Sequence, residues 1–250
     1  MTKLKTYVQC PRQFFFRYIE RVEPSFRPIA LAFGSAWHET IGEHLTHAGS
    51  DNPMSREELG DFFRDALENA VHGEEVPVLF EDQEDLGQTV DLGIRMLGVY
   101  LDRVPPPEKV IGVEVPFSIE LAHPVTGEIV RVPLIGSIDA FVIENGKPTV
   151  LELKTAKRSG GRSSWSSTFS RPLTRWAPGG GFEEAELKLV VTTKTKKPDV
   201  QVERLVRHRG DERELAELAY GVLEAAAAGI DYRVRGWQCK NCAYADACAA

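Results

Sequence analysis

A chain of 250 residues with 42% hydrophobic and 27% charged side chains has the composition of an ordinary soluble protein and the length of one large or two small domains. This composition excludes disorder, collagen and coiled coil. No apolar run approaches the roughly 20 residues needed to cross a bilayer, and the first residues lack the apolar centre of a signal peptide, so a cytoplasmic location and no membrane contact are expected. The net charge of −7 argues against a globally basic nucleic-acid binder but does not report on a local patch.

The first predicted element is a helix from Pro11 to Val22, with Pro11 in the first turn, where its missing N–H costs nothing. Phe33, Trp37, Ile41 and Leu45 recur every four residues and predict an amphipathic helix with His38 at the edge of its stripe. Two more helices are expected at about Ser55 to His72, opened by the Ser55/Glu58 capping pattern, and Leu86 to Arg103. Pro105, Pro106 and Pro107 end the helical half. Strands follow in VIGVEVPFSIEL, IVRVPLIGSIDAFVI and TVLELKT, joined by turns at His123 to Gly127 and at Asn145-Gly146, a strong hairpin signal. From Ser159 to Gly181 no period is evident. Two further strands, LKLVVTTKT and DVQVERLVR, precede an alanine-rich helix from about Asp211 to Ala228 and the tail WQCKNCAYADAC. With no repeat or linker, the expectation is one mixed α/β domain over residues 1–250: a helical part to 105, a β-rich part over 108–210, and a terminal helix with a cysteine tail.

Asp139 lies just before the Asn-Gly turn and Glu152 and Lys154 just after it, so a hairpin brings them to one end of the sheet, with Glu152 and Lys154 on one face. Two carboxylates and an ammonium on an apolar hairpin are costly to bury unless they pair or share a cation. Hard oxygen ligands suit magnesium or manganese. The alternative is a cross-strand salt bridge on a solvated face. His38 alone reads as a packed helix histidine. The only four cysteines are Cys10 and the C-x2-C-x5-C set Cys239, Cys242 and Cys248, enough for an iron–sulfur cluster, with tetrahedral zinc as the alternative. Such a site would tie both termini together. Lys154, Lys157, Arg158, Arg162, Arg171 and Arg175 run without an acidic interruption, interleaved with Trp165, Phe169 and Trp176, and a second run holds Lys194, Lys196, Lys197, Arg204, Arg207 and Arg209. Cations track phosphates and aromatics stack bases, so a DNA-binding surface is expected there rather than a plain solvated face.

Six segments in order carry a resemblance: LKTYVQCPRQFFFRYI, FGSAWHETI, VIGVEVPFSI, GSIDAFV, VLELKT and WQCKNCAYADAC. Together they resemble the PD-(D/E)XK nucleases, and within them the RecB-like group with an iron–sulfur cluster that includes CRISPR-associated and AddB-type enzymes. The resemblance implies a restriction-endonuclease-like core whose termini are joined by a four-cysteine 4Fe-4S cluster. It further implies His38, Asp139, Glu152 and the Leu153 carbonyl as ligands to Mg2+ or Mn2+, Lys154 as the catalytic lysine and Glu114 as a supporting carboxylate. The implied activity is phosphodiester hydrolysis on DNA by an exonuclease in recombination, repair or phage- or CRISPR-linked processing, with a helicase or similar protein as partner.

The chain departs from the family at one place. A helix with a Gln/Tyr pattern is expected soon after the E-x-K strand, and none occurs between Lys157 and Leu187, where RSGGRSSWSSTFSRPLTRWAPGGGFEEAE stands instead. Divergence and a shifted reading of the gene both account for that stretch. The competing function is a non-catalytic DNA-binding or scaffold module of the same fold.

Overall fold

The computed structural model describes residues 2–50, 52–73, 75–80, 84–123, 125–130, 132–157, 185–205 and 211–249, the Glu212 side chain excepted. Helices come first: α1 (Thr2–Gln9), α2 (Pro11–Phe14), α3 (Ile29–His47), α4 (Arg56–His72) and α5 (Leu86–Arg103). A wider π turn, Phe15–Ile19, follows α2, and β1 (Arg27–Pro28) pairs in parallel with β2 (Val78–Leu79). Five long strands come next, β3 (Lys109–Ile119), β4 (Leu134–Glu144), β5 (Lys147–Ala156), β6 (Glu186–Thr193) and β7 (Val200–Leu205). The chain closes with α6 (Asp211–Ala227), a 3-10 turn at Trp237–Cys239 and α7 (Ala245–Ala249).

The long strands form one mixed sheet, ordered β3-β4-β5-β6-β7 and antiparallel except between β5 and β6. Alternation along the strands divides their side chains between two cores. Ala140, Val142, Leu151 and Leu153 pack with Phe33, Trp37 and Ile41 of α3, Phe63 of α4 and Met96 and Tyr100 of α5. Phe141, Val150 and Leu187 turn the other way, toward Leu4 and Tyr7 of α1 and Leu215 and Ala219 of α6. A mixed sheet with helices on both faces is the expected architecture and is consistent with a restriction-endonuclease-like core.

Local signals in the sequence translate directly. Ser55 accepts from the Glu58 amide while Glu58 accepts from the Ser55 amide, the reciprocal cap that opens α4. Asn145 and Gly146 both take positive φ, 51° and 69°, as the two-residue hairpin between β4 and β5 requires.

Three elements differ from expectation. No helix is predicted before Pro11, yet Thr2–Gln9 forms α1, too short to display a period and held by burial of Leu4 and Tyr7 and by the Tyr7 hydroxyl, which donates to the Ile230 carbonyl at 2.7 Å. The helix predicted to Val22 widens after Phe14, where the Glu20 amide reaches back to Phe15. The turn seats Phe16 between the Arg12 guanidinium, 4.1 Å from its ring centre, and the Tyr244 ring at 5.9 Å. β4 begins only at Leu134, because Pro133 brings no N–H to a ladder; ahead of it, among the described residues, only Ile129 bridges back to Ala122. The unperiodic stretch after Lys157, with the place of the family's Gln/Tyr helix, falls on residues 158–184, outside the described residues.

Candidate active site

Three neighbouring strands each bring a carboxylate to the same level of the sheet. Ala140 of β4 pairs with Leu151 of β5 and with Val113 of β3, and Ile138 pairs with Val115. The register therefore sets Asp139 between Glu152 on one side and Glu114 on the other. Glu114 has φ 48°, a left-handed backbone rarely held by a non-glycine residue and typical of strain kept at functional positions. Gly112 begins the shifted register of β3, so the strand is irregular where it delivers Glu114.

The helix α3 supplies the fourth group. Gly42, one turn beyond His38, allows α3 to lie close on β3: a Cβ there would stand 3.0 Å from Val113 Cγ1. His38 Nδ1 sits 3.2 Å from Asp139 Oδ1, and the other Asp139 oxygen accepts from the Leu153 amide at 2.6 Å. Ligand atoms of His38, Glu114 and Asp139 all lie within 4.8 Å of one another, the one such group of three or more among the described residues. Glu152 turns to Lys154 instead, with 2.5 Å between Oε1 and Nζ. Glu152 is buried, which rules out a salt bridge on a solvated face.

Opposing forces set the charges here. Burial pushes the Asp139 carboxyl up, but the hydrogen bond to His38, the charges of His38 and Lys154 and the Leu153 amide outweigh it and hold Asp139 below the usual carboxylate range. Burial also disfavours charge on His38, yet Asp139 raises it above the ordinary imidazole value. For Glu152 burial wins, with help from Asp139 and against Lys154, and its carboxyl is raised. Lys154, although penalised by burial, is held up by Glu152 and Asp139 and stays cationic.

Sequence reasoning missed Lys5. It lies on α1, half-buried, where burial and then the charge of Lys154 push its ammonium down while Glu152 and Asp139 push it up. Without a predicted α1, no signal pointed to it. Of the predicted DNA-contact residues, Lys157 and Lys196 are exposed, beyond the ends of β5 and β6. Lys194 is placed differently: its ammonium lies over the Phe33 ring, 5.1 Å from the centroid, so it helps to cover the core. Arg204 is likewise engaged, with Glu144 and Glu186 at 2.5 and 3.0 Å. Arg158 and Arg162 lie outside the described residues.

A family model described as the PD-(D/E)XK nuclease superfamily matches residues 1–249. The chain belongs to this superfamily. Among solved structures, one titled "Putative exonuclease" from Eubacterium rectale aligns over 99% of this chain and 85% of its own, with a TM-score of 0.54 at 13% identity, which shows a shared fold. The structure of SSO0001 aligns over 98% of this chain and 93% of its own at 16% identity, with a TM-score of 0.39. No curated protein matches.

Nucleases of this superfamily generally use divalent metals, and His38, Glu114 and Asp139 fit one by donor type and mutual approach. An imidazole must be neutral to ligate, so Mn2+ affinity is expected to rise with pH through the folded pKa of His38, above 6.5, by up to about tenfold per unit for one displaced proton. Calorimetric titration from about pH 6 to about pH 8 checks this, and a flat profile would remove His38 from the ligand set. In the metal-free nuclease the sign reverses: the His38–Asp139 pair stabilises fully below the unfolded pKa of His38 and loses that contribution as pH rises through the folded one.

The four cysteines are free and line one cavity of about 480 Å³ between the α1–α2 junction and the tail. Their sulfurs are not drawn into a compact ligand group, so the expected four-cysteine cluster is not displayed, although donors and room fit a four-thiolate group. Other contacts already join the termini: the Arg12 amide donates to Tyr232 at 3.1 Å, the Ser25 amide to Ala243 at 2.8 Å, and Arg12 pairs with Asp231. Among the described residues, no helix is long and apolar enough to cross a membrane.

Proposed function

We propose that this chain is a divalent-metal-dependent deoxyribonuclease, of exonuclease type, that hydrolyses phosphodiester bonds in recombination, repair or phage- or CRISPR-linked DNA processing, with a helicase-like protein as partner. The observation that carries the reading is the row of Glu114, Asp139 and Glu152 on three adjacent strands, closed by His38 and Lys154. His38, Glu114 and Asp139 would hold a Mg2+ or Mn2+ ion, with Glu152 and the Leu153 carbonyl beside them. When bound, the ion supplies polarisation of the scissile phosphate and a lowered pKa for the attacking water.

The protein's own groups do the rest. The Leu153 amide and His38 fix the Asp139 carboxylate in place. In an extended strand a residue's N–H and C=O face the same neighbour, so the geometry that sends the Leu153 amide to Asp139 also favours its carbonyl as a ligand. Lys154, cationic and a third exposed, can reach from Glu152 to a substrate phosphate and stabilise charge that develops there. Within one nuclease domain over residues 1–250, Cys10, Cys239, Cys242 and Cys248 would hold a 4Fe-4S cluster, with structural Zn2+ as the alternative, bracing the seam between the termini.

The test is cleavage of labelled single- and double-stranded DNA by anaerobically purified protein, with Mg2+, Mn2+ or EDTA, beside Lys154→Ala. Cutting that EDTA and the substitution both abolish is expected. No cutting by folded protein would transfer the chain to the DNA-binding or scaffold reading that the departure after β5 favours. The same preparation reports the cluster: absorption at the blue end of the visible spectrum is expected, whereas colourless protein with stoichiometric zinc would replace 4Fe-4S by Zn2+.

A further inference from the structure

The tail segment before Cys239 carries two exposed aromatic side chains. Trp237 is 84% exposed and Tyr232 56% exposed. One exposed apolar side chain needs no explanation. Here two aromatics five positions apart are both solvent-facing, and the cations Arg233 and Arg235 stand between them, also exposed. From Tyr232 to Ala245 there are three cations, Arg233, Arg235 and Lys240, and no Asp or Glu, in a chain whose net charge is −7. Among the described residues none of these three cations forms an ion pair, in contrast to Arg12, Arg56, Arg64, Arg204 and Arg213.

We infer that this segment is a docking surface for single-stranded DNA, in which Trp237 and Tyr232 stack on unpaired bases and Arg233, Arg235 and Lys240 follow the phosphates. The inference rests on DNA as the substrate and assigns a second contact outside the carboxylate site. A single strand fits better than a duplex, because stacking on an aromatic side chain needs a base freed from its own stack. The location suits the role. The tail is bonded to the N-terminal helices by the Tyr7 hydroxyl at Ile230 and the Arg12 amide at Tyr232. Lys5, on the same α1, stands in the field of Asp139 and Glu152. A helix of this length spans only about 12 Å, so one strand can lie on the tail and reach the acidic groups.

The experiment is fluorescence anisotropy of a labelled single-stranded oligonucleotide and a blunt duplex of equal length, titrated with the full, anaerobically purified chain without added divalent metal over a range of salt. Tighter binding of the single strand is expected, with a loss of about tenfold in Trp237→Ala and recovery of most of it in Trp237→Phe. Arg233→Gln with Arg235→Gln should reduce the slope of log affinity against log salt by about 1.4, at about 0.7 per phosphate contact on a single strand. If Trp237→Ala fails to fold by thermal unfolding, the arginine pair alone decides. Unchanged affinity and slope, equal binding of duplex, or no binding by the wild-type chain each overturns the proposal, and the first leaves the patch to a protein partner. Asp139→Asn separates the two readings: it should abolish cleavage and leave binding to the tail intact, so a chain that binds through Trp237 but never cuts refutes the nuclease and not the docking surface.

Discussion

Asp139→Asn is expected to reduce metal-dependent cleavage by more than about 100-fold while leaving the fold intact. The amide keeps the size of the carboxylate, and its oxygen can still accept from the Leu153 amide that Asp139 engages at 2.6 Å. It removes the charge that faces His38 at 3.2 Å and one of three potential ligands within 4.8 Å of one another. Changes to groups that merely orient a ligand commonly cost 10- to 100-fold in affinity or activity, so loss of the central ligand should cost more. The measurement pairs initial cleavage rates with calorimetric Mn2+ binding and thermal unfolding. Weak Mn2+ binding with near-normal unfolding is the expected pattern. Cleavage close to wild type in the Asn variant would take Asp139 out of the site.

The largest stability effect is expected at the C-terminal end of β4. Glu144 and Lys188, 9% and 4% exposed, pair at 2.6 Å, and Arg204 joins Glu144 at 2.5 Å. Glu186 extends the network, taking Arg204 and Lys147 at 3.0 Å each. Glu144→Leu leaves the Lys188 ammonium buried with no counter-charge, a change that costs about 3–5 kcal/mol, or on the order of 10 °C in Tm at this chain length. Replacing both partners, Glu144→Leu with Lys188→Met, should restore most of the loss, because desolvation of the stranded ammonium dominates the penalty. A single variant that loses less than about 1 kcal/mol in denaturant unfolding would show that the ammonium finds another partner. Cleavage per folded molecule should be unchanged in either variant, since the network stands apart from Asp139 along β4.

How well each feature could be foreseen follows from how far apart in the chain its determinants lie. Ser55 with Glu58, the four-residue spacing from Phe33 to Leu45, and Asn145-Gly146 are each written within a few positions, and the structure realises them as a capped α4, a buried α3 stripe and a tight β4–β5 turn. The same hairpin brings Asp139 next to Glu152 and Lys154, because a two-residue turn fixes register. Glu114 is different. Its approach to Asp139 depends on the pairing of β3 with β4 across a turn region and on an irregular strand with a φ of 48° at one residue, which no periodicity encodes. Lys5 depends on α1, whose eight residues are held by tertiary contacts rather than by propensity. Lys194 and Arg204 could be counted as free cations until Phe33, Glu144 and Glu186 were placed around them.

The sequence by itself determined most of the element types, the mixed α/β class, and the identity of most chemical groups, because side-chain periods, caps and turns act over a few residues. Tertiary structure alone decided which carboxylates meet His38, which cations remain exposed, and that the thiols of both termini line one cavity. Those outcomes depend on strand order, register and helix docking between segments as far apart in the chain as Tyr7 and Ile230, where desolvation and packing choose among partners that the linear sequence leaves equivalent.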